Sequence, residues 1–200
     1  LVIILTGALL LTLPIASRSG KAMPFLDALF TATTSTCVTG LVLHDVYTTW
    51  TLFGQIVILL LIQTGGIGFM TLAVAALTLM KKKIGLSQRL TMQESVGAPQ
   101  VGGIVRLTKF ILLGTLLVET AGTVALSFVY CPLLGFFKGV YFSVFHAVSA
   151  FCNAGIDLMG CFEPGSSLVT LQSNVIVNVT IMALIVIGGL GFFVWKDVVQ

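Results

Sequence analysis

The sequence predicts an all-α integral membrane protein of two successive units. Each has a long helix, a short re-entrant helix that ends in a turn, and a return helix. Hydrophobic residues make up 57% of the chain and charged residues 8%, against about 25% charged residues in soluble domains. Several apolar segments exceed the roughly 18 residues that a membrane-spanning helix needs. The net charge of +3 is too small to predict a nucleic-acid partner.

Two segments, residues 30–41 and 145–156, repeat each other at an offset of 115 residues. Each runs through small residues into a turn that ends on glycine. The matches are Phe30/Phe145, Ala32/Ala147, Cys37/Cys152 and Gly40/Gly155. A turn at membrane depth is unfavourable because hydrocarbon offers its backbone no partners, unless it is buried in protein or faces something polar. A turn that only reverses the chain is the alternative interpretation. Two copies in equivalent places favour an ion pore built of tandem, potassium-channel-like helix–pore-loop–helix units.

The apolar pattern sets the boundaries of the units. The first unit is residues 1–80, with spans at 1–16 and 50–80 around a short helix at 24–36. The second unit is residues 107–200, with spans at 107–130 and 169–195 around a short helix at 136–150. Tyr47 and Trp50 are placed as anchors at the membrane interface.

A basic connecting loop at residues 81–106 separates the units. Residues 81–109 carry six of the ten basic residues of the chain and one acid, Glu94. The positive-inside rule places this loop in the cytoplasm of a multi-pass protein in the cell (plasma) membrane. A polybasic lipid-binding or nucleic-acid patch is the alternative, but topology alone accounts for the charges.

The return spans contain a second repeat, GGIGF at 65–69 and GGLGF at 188–192. A nucleotide-binding loop would need a preceding strand and a following acidic residue, and the pattern predicts neither. Close helix packing on small residues is the favoured interpretation.

The two turns are the candidate site, because backbone carbonyls can replace the water shell of a dehydrated cation. Gly40 and Gly155 are suited to the positive φ that such a turn requires. The preceding short helices would direct the partial negative charge of their C-termini, about −0.5, toward the pore. The predicted ion-filter residues, which bind potassium through backbone carbonyls, are Thr36, Cys37, Val38, Thr39, Gly40, Phe151, Cys152, Asn153, Ala154 and Gly155.

Glu119 lies inside a predicted span, where an ionisable group is a functional hypothesis by default. The favoured interpretation is a pairing with Gln63, Asn174 or Asn178. Asn153 either holds a neighbour's backbone or points to solvent. These two questions stay open at the level of the sequence.

His146 and Ser149 are spaced i, i+3, but no nucleophile motif surrounds them, so the chain is predicted not to be an enzyme and to need no cofactor. Cys131 and Cys161 are expected on the outer side, as free thiols rather than as a pair. Four outer carboxylates near the turns could raise the local cation concentration. They are Asp27, Asp45, Asp157 and Glu163.

These motifs resemble the membrane subunit of Ktr-type potassium transporters in the Trk/Ktr/HKT superfamily. TSTCVTGL at 34–41 and SAFCNAGIDLMG at 149–160 are similar to the first two filter segments of that family, and LIQTGGIGFMTL at 61–72 is similar to its first return helix. The likeness covers essentially all 200 residues. Where potassium channels have Tyr-Gly after the first filter glycine, this chain has Leu41-Val42 and Ile156-Asp157.

The resemblance implies potassium uptake, with sodium as a candidate coupling ion, by the pore-forming subunit. It implies that this chain is the first two of four pore units. The expected partners are the lipid bilayer, the remaining two pore units of the same subunit, a second copy in a homodimer, and a cytosolic nucleotide-binding regulatory ring. The gating elements of the family lie in its third and fourth return helices, outside this chain.

A secondary transporter of another solute or cation, with broken-helix sites at the membrane midplane, is the alternative function. Such a transporter would predict an inverted repeat. Both units here run in the same order, which favours a pore around an axis along the membrane normal.

The charge bias generates a topology prediction. Single cysteines placed at residues 48 and 85, in an otherwise cysteine-free background, should react differently with an impermeant thiol reagent applied from outside. We expect labelling at residue 48 and none at residue 85. The opposite result would reverse the orientation of both turns.

Overall fold

The computed structural model describes residues 1–68, 104–190 and 194–195. The regular secondary structure of these residues is helical, with no strand among them beyond an isolated antiparallel bridge between Ser17 and Trp50. The α-helices within the described ranges are α1 (Val2–Thr12), α2 (Phe25–Thr36), α3 (Val46–Thr49), α4 (Leu52–Ile67), α5 (Ile104–Leu134), α6 (Phe136–Phe151) and α7 (Val175–Gly189). Short 3₁₀ helices lie at Met159–Cys161 and Ser167–Leu171.

Along the chain, α1, α2, a glycine-containing turn and α4 are followed in the same order by α5, α6, a second such turn and α7. The chain also divides into two compact units by its contacts, one of residues Leu1–Gly66 with Glu119–Gln200 and one of residues Ile67–Val118. Both glycine-containing turns and the contacts that surround them lie in the first of these. The predicted basic loop at 81–106 lies outside the described residues.

Within the described ranges, one helical segment, Thr108–Leu134, is long and apolar enough to cross a membrane by length and composition. α1 has 11 residues and ends at Thr12, before the predicted end at residue 16, whereas α4 has 16 described residues and α7 has 15. Residues 69–80 of the predicted span 50–80 lie outside the described residues. α7 begins at Val175 rather than near residue 169 because residues Ser167–Leu171 form a 3₁₀ helix. The Asn174 side chain then accepts from the Val177 N–H and caps α7.

Trp50 is fully buried, so the prediction that it is an interfacial anchor is wrong. Its carbonyl oxygen accepts from Arg18 Nε at 3.1 Å and from Gln55 Nε2 at 2.9 Å. The buried Trp50 therefore links Arg18, in the connection between α1 and α2, to Gln55 in the first turn of α4.

Tyr47 lies between two cations, with Arg18 4.5 Å and Lys138 4.9 Å from its ring centroid. A hydrogen bond from Lys138 lowers the pKa of Tyr47.

Three of the four carboxylates that the sequence predicts on the outer side have structural partners. Asp45 accepts from the Thr48 N–H at 2.8 Å, which caps α3, and from the Gly165 N–H at 3.2 Å. Asp157 accepts from the Met159 N–H and from the Ser167 hydroxyl. Asp27 pairs with His44 at 3.1 Å in an exposed position. Asp45 and Asp157 therefore order the loops in which they lie, a role that their predicted effect on local cation concentration did not include.

The two bonds of Asp45 generate a stability prediction. Asp45→Ala should lower the thermal unfolding temperature of the detergent-solubilised protein, because it removes a helix cap worth about 1 kcal/mol and the hydrogen bond from the Gly165 N–H. Asp27→Ala is the matched control, since an exposed ion pair contributes little. An equal loss in both variants would contradict the assignment.

Candidate functional site

The two turns that the sequence singled out lie side by side. A Cβ added to Gly40 would lie 2.8 Å from the Ala154 carbonyl oxygen, and one added to Gly155 would lie 3.8 Å from the Gly40 Cα. Segments 115 residues apart in sequence thus meet through their glycines. We refer to residues 36–40 as the first turn and to residues 151–155 as the second turn.

Both turns follow the same backbone path. Cys37 and Cys152 continue the helical conformation with φ of −86° and −73°. The next residues, Val38 and Asn153, have φ of 53° and 58°. The glycines have φ of 76° and 66°, as the sequence predicted.

The left-handed conformation of Val38 was not predicted. Asparagine tolerates this region, whereas for a β-branched residue it is a true outlier. Such strain persists only where the surroundings determine the backbone strongly, and it concentrates at functional sites. The first turn is therefore held in a conformation that its own sequence does not favour.

Equivalent hydrogen bonds hold the two turns. The Thr39 N–H donates to the Thr34 carbonyl at 3.1 Å, and the Ala154 N–H donates to the Ser149 carbonyl at 2.8 Å. The Leu41 N–H donates to the Thr34 hydroxyl oxygen at 3.1 Å. The Ile156 N–H donates to the Ser149 hydroxyl oxygen at 3.0 Å.

Sequence reasoning missed Thr34 and Ser149 as clamps of the turns. The signal was present, because both positions carry a hydroxyl residue at the same offset as the glycines. The hydroxyl of a Ser or Thr inside a helix usually bonds to a carbonyl of its own helix, so the residue type alone does not predict a bond seven residues onward. The partners here are the N–H groups of Leu41 and Ile156, which the turns bring back to the hydroxyls.

The carbonyl groups of the turns are less bonded than the N–H groups of Cys37, Thr39, Cys152, Asn153 and Ala154, which all donate to helix carbonyls. Within the described part of the chain, no donor lies within hydrogen-bond distance of the carbonyl oxygens of residues 37–40 and 152–155. Four of these eight residues are exposed: Cys37, Thr39, Asn153 and Gly155. The eight oxygens are thus available to a ligand that accepts electron density, such as a cation.

The short helices end where the turns begin. α2 ends at Thr36 and α6 ends at Phe151. A helix C-terminus carries a partial charge of about −0.5, which favours a cation nearby. Both turns therefore lie in a locally negative field.

The glycines of the return helices permit close approach to the turns. A Cβ on Gly65 would overlap the Thr36 carbonyl oxygen, and one on Gly188 would overlap the Phe151 carbonyl oxygen. Each return helix therefore packs directly against the last carbonyl of its short helix. This result agrees with the predicted close packing on small residues.

Glu119 pairs with Gln63, which confirms one of the predicted pairings. Gln63 Nε2 lies 2.9 Å and 3.1 Å from the two carboxyl oxygens of Glu119. Asn174 instead caps α7, and Asn178 donates to backbone carbonyls that include those of Gln172 and Asn174. Of the candidate partners, Gln63 is the one that the structure brings to Glu119.

His146 and Ser149 do not form a nucleophile–base pair. His146 Nδ1 lies 2.7 Å from the Phe142 carbonyl, and its Nε2 accepts from the Leu158 N–H at 3.3 Å. The Ser149 hydroxyl donates to the Ile156 carbonyl. Both side chains thus hold the backbone around the second turn.

Asn153 also contacts backbone. Its Nδ2 lies 3.4 Å from the carbonyl oxygens of Phe151 and Ile185. Of the two interpretations that the sequence left open, the structure supports the one in which the amide holds neighbouring backbone. All four cysteines, Cys131 and Cys161 included, are free thiols.

Comparison with protein families matches residues 2–200 to the TrkH family, which is described as a cation transport protein. Among individual proteins, the chain is 44% identical over 199 residues to the potassium/sodium uptake protein NtpJ of Enterococcus hirae, covering 100% of this chain and 43% of that protein. It is 42% identical over 197 residues to the Ktr system potassium uptake protein B of Bacillus subtilis, covering 98% and 43%. It is 37% identical over 196 residues to the protein of that name in Vibrio alginolyticus, covering 98% and 42%. The chain thus spans less than half the length of these curated relatives.

The hydroxyl clamps generate a prediction. Ser149→Ala should lower stability by about 1–3 kcal/mol, because it leaves the buried Ile156 N–H without its acceptor. Thr34→Val should act in the same direction with a smaller effect, since Leu41 is exposed. Thermal unfolding and amide exchange at residues 41 and 156 measure both effects.

The control for the clamp prediction is Thr33→Val. The Thr33 hydroxyl bonds only the Leu29 carbonyl within its own helix and faces outward. If Thr33→Val destabilises the protein as much as Ser149→Ala does, the clamps contribute nothing specific.

Proposed function

Because the chain belongs to the TrkH family of cation transport proteins, we propose that its two turns form half of a potassium filter made of backbone carbonyls. The filter residues would be those of the first turn, residues 36–40, and of the second turn, residues 151–155. The observation that carries the proposal is the meeting of two equivalent turns in which the carbonyl oxygens of residues 37–40 and 152–155 have no donor among the described residues.

The chemistry of dehydration supports this assignment. Moving a small ion from water into a medium of low dielectric costs of order 20 kcal/mol in the idealised case. Carbonyl oxygens recover that cost if several of them converge, and the eight oxygens of residues 37–40 and 152–155 are available for this purpose. The C-termini of α2 and α6 add a field of the same sign.

The rest of the pore would come from other units. Two turns make two walls, so we propose that residues 1–80 and 107–200 are the first two of four pore units in one longer subunit. The loop at 81–106 would join them on the cytoplasmic side. Membership of the family implies a membrane location, and the plasma membrane is the proposed one.

Potassium is the proposed substrate, because two of the relatives named above are potassium uptake proteins and the third is a potassium/sodium uptake protein. Sodium is the candidate coupling ion, and no cofactor is proposed. The proposed partners of the complete subunit are a second copy in a homodimer and a cytosolic nucleotide-binding ring. The family is one of transport proteins rather than enzymes.

A secondary transporter with an inverted repeat is the second candidate. An inverted repeat would make the first helices of the two units run in opposite directions across the membrane. The basic residues of the segment 81–109 predict a cytoplasmic connection between the units, which makes the first helix of each unit run outward and favours the pore.

The filter proposal predicts that Gly40→Ser and Gly155→Ser in the full-length subunit weaken discrimination between potassium and sodium. A β-carbon at positive φ costs roughly 1–2 kcal/mol. Gly40→Ser should have the larger effect, because its Cβ would also lie 2.8 Å from the Ala154 carbonyl oxygen. Flux of both ions into proteoliposomes measures the ratio.

Gly20→Ser is the matched control. Gly20 has a φ of 68° with nothing within 4 Å of an added Cβ, so its variant carries the same backbone strain away from the turns. Unchanged discrimination in both Gly40→Ser and Gly155→Ser would refute the carbonyl filter. A shift in Gly20→Ser of equal size would assign the effect to general strain.

A further inference from the structure

We propose that Gln63 and Glu119 are positioning residues for the second turn, and that they thereby set how well the pore distinguishes potassium from sodium. The inference rests on the proposed function for its transport consequence. Its structural part, a brace between α4 and the second turn, stands on contacts alone.

The first step is the orientation of the Gln63 amide. Glu119 is 7% exposed in α5, and both of its carboxyl oxygens face Gln63 Nε2. An amide has a donor end and an acceptor end, and its N–H groups must face the acceptor. The Oε1 atom of Gln63 therefore points away from Glu119.

The second step is the contact of Gln63 with the turn. Gln63 Oε1 lies 3.9 Å from the Sγ of Cys152, whose thiol is a weak donor. A Cβ on Gly66 would overlap the same sulfur atom. The Cys152 side chain thus packs against α4, between the Gln63 amide and the Gly66 backbone, which has no side chain.

The third step is the consequence for the carbonyls. Cys152 directly follows α6, and the next residue, Asn153, is already in the left-handed region. The direction of the carbonyls at 152–155 depends on the rotation of the chain at Cys152. A side chain that fixes Cys152 therefore fixes the oxygens that follow.

Among the described residues, no glutamine side chain contacts Cys37 in the way that Gln63 contacts Cys152. Cys37 is exposed, whereas Cys152 is 7% exposed. The residue that corresponds to Glu119 in the first unit is Ile4, which carries no polar side chain. Within the described part of the chain the brace therefore acts on the second turn, so Cys37 serves as an internal reference for labelling of Cys152.

The test uses Gln63→Met in the full-length subunit, since methionine keeps the length of the side chain and removes both amide groups. The first readout is site-resolved labelling of Cys152 by a small thiol reagent, measured by mass spectrometry. The second is the ratio of potassium to sodium flux. We expect several-fold faster labelling of Cys152 with Cys37 unchanged, and a loss of ion discrimination of about tenfold, the size of one net hydrogen bond.

Gln55→Met is the matched control on the same helix. Gln55 is a buried glutamine that bonds the Trp50 carbonyl and the Tyr141 hydroxyl, away from both turns. It should lower stability without changing Cys152 labelling. Glu119→Gln, which still presents an acceptor to Gln63 Nε2, should resemble the native protein more closely than Glu119→Ala does.

The outcomes separate the brace from the proposed function. Unchanged Cys152 labelling in Gln63→Met, or equal labelling in Gln55→Met, overturns the brace. Faster labelling with unchanged ion discrimination overturns its role in selectivity. If the native subunit carries no potassium, the filter proposal fails while the labelling still decides the brace. If Gln63→Met gives no monodisperse protein, the same measurements on Glu119→Ala against Glu119→Gln decide the question.

Discussion

The N–H and C=O groups of an irregular stretch of backbone inside a membrane protein need hydrogen-bond or ionic partners. This constraint governs the arrangement around both turns. Several of the N–H groups that follow the short helices bond to carbonyls and hydroxyls one or two turns back. The carbonyls of residues 37–40 and 152–155 have no such partner among the described residues. A segment that leaves its carbonyl oxygens open is suited to binding cations. The proposed filter follows from this difference.

Small residues and hydroxyl residues share the task of holding the turns. Gly65 and Gly188 allow the return helices to reach the last carbonyl of each short helix. Thr34 and Ser149 close each turn from the inside through a single oxygen. The backbone of Val38 remains strained despite these contacts. A strained backbone at the proposed filter is consistent with the tendency of such residues to occur at functional sites.

The two copies share their backbone and differ in the side chains that surround it. His146 receives the Leu158 N–H, whereas Thr31 at the equivalent position bonds only within its own helix. Asn153 bonds neighbouring carbonyls where the first copy has Val38. The second turn is thus held by more polar side chains than the first. Because different side chains hold the two turns, a substitution beside one turn can change ion binding there while the backbone geometry of the other turn stays the same.

The sequence by itself determined the helical class, the repeat, the position of both turns and the need for glycine at Gly40 and Gly155. These features depend on composition and local backbone sterics, which the chain carries at each residue. It also indicated Gln63 among the partners of Glu119, but it left that choice open. Only the tertiary structure decided the burial of Trp50, the clamps at Thr34 and Ser149, and the contact of Gln63 with Cys152. Each of these depends on which segments meet in space, and a residue type does not specify a partner that lies far away along the chain.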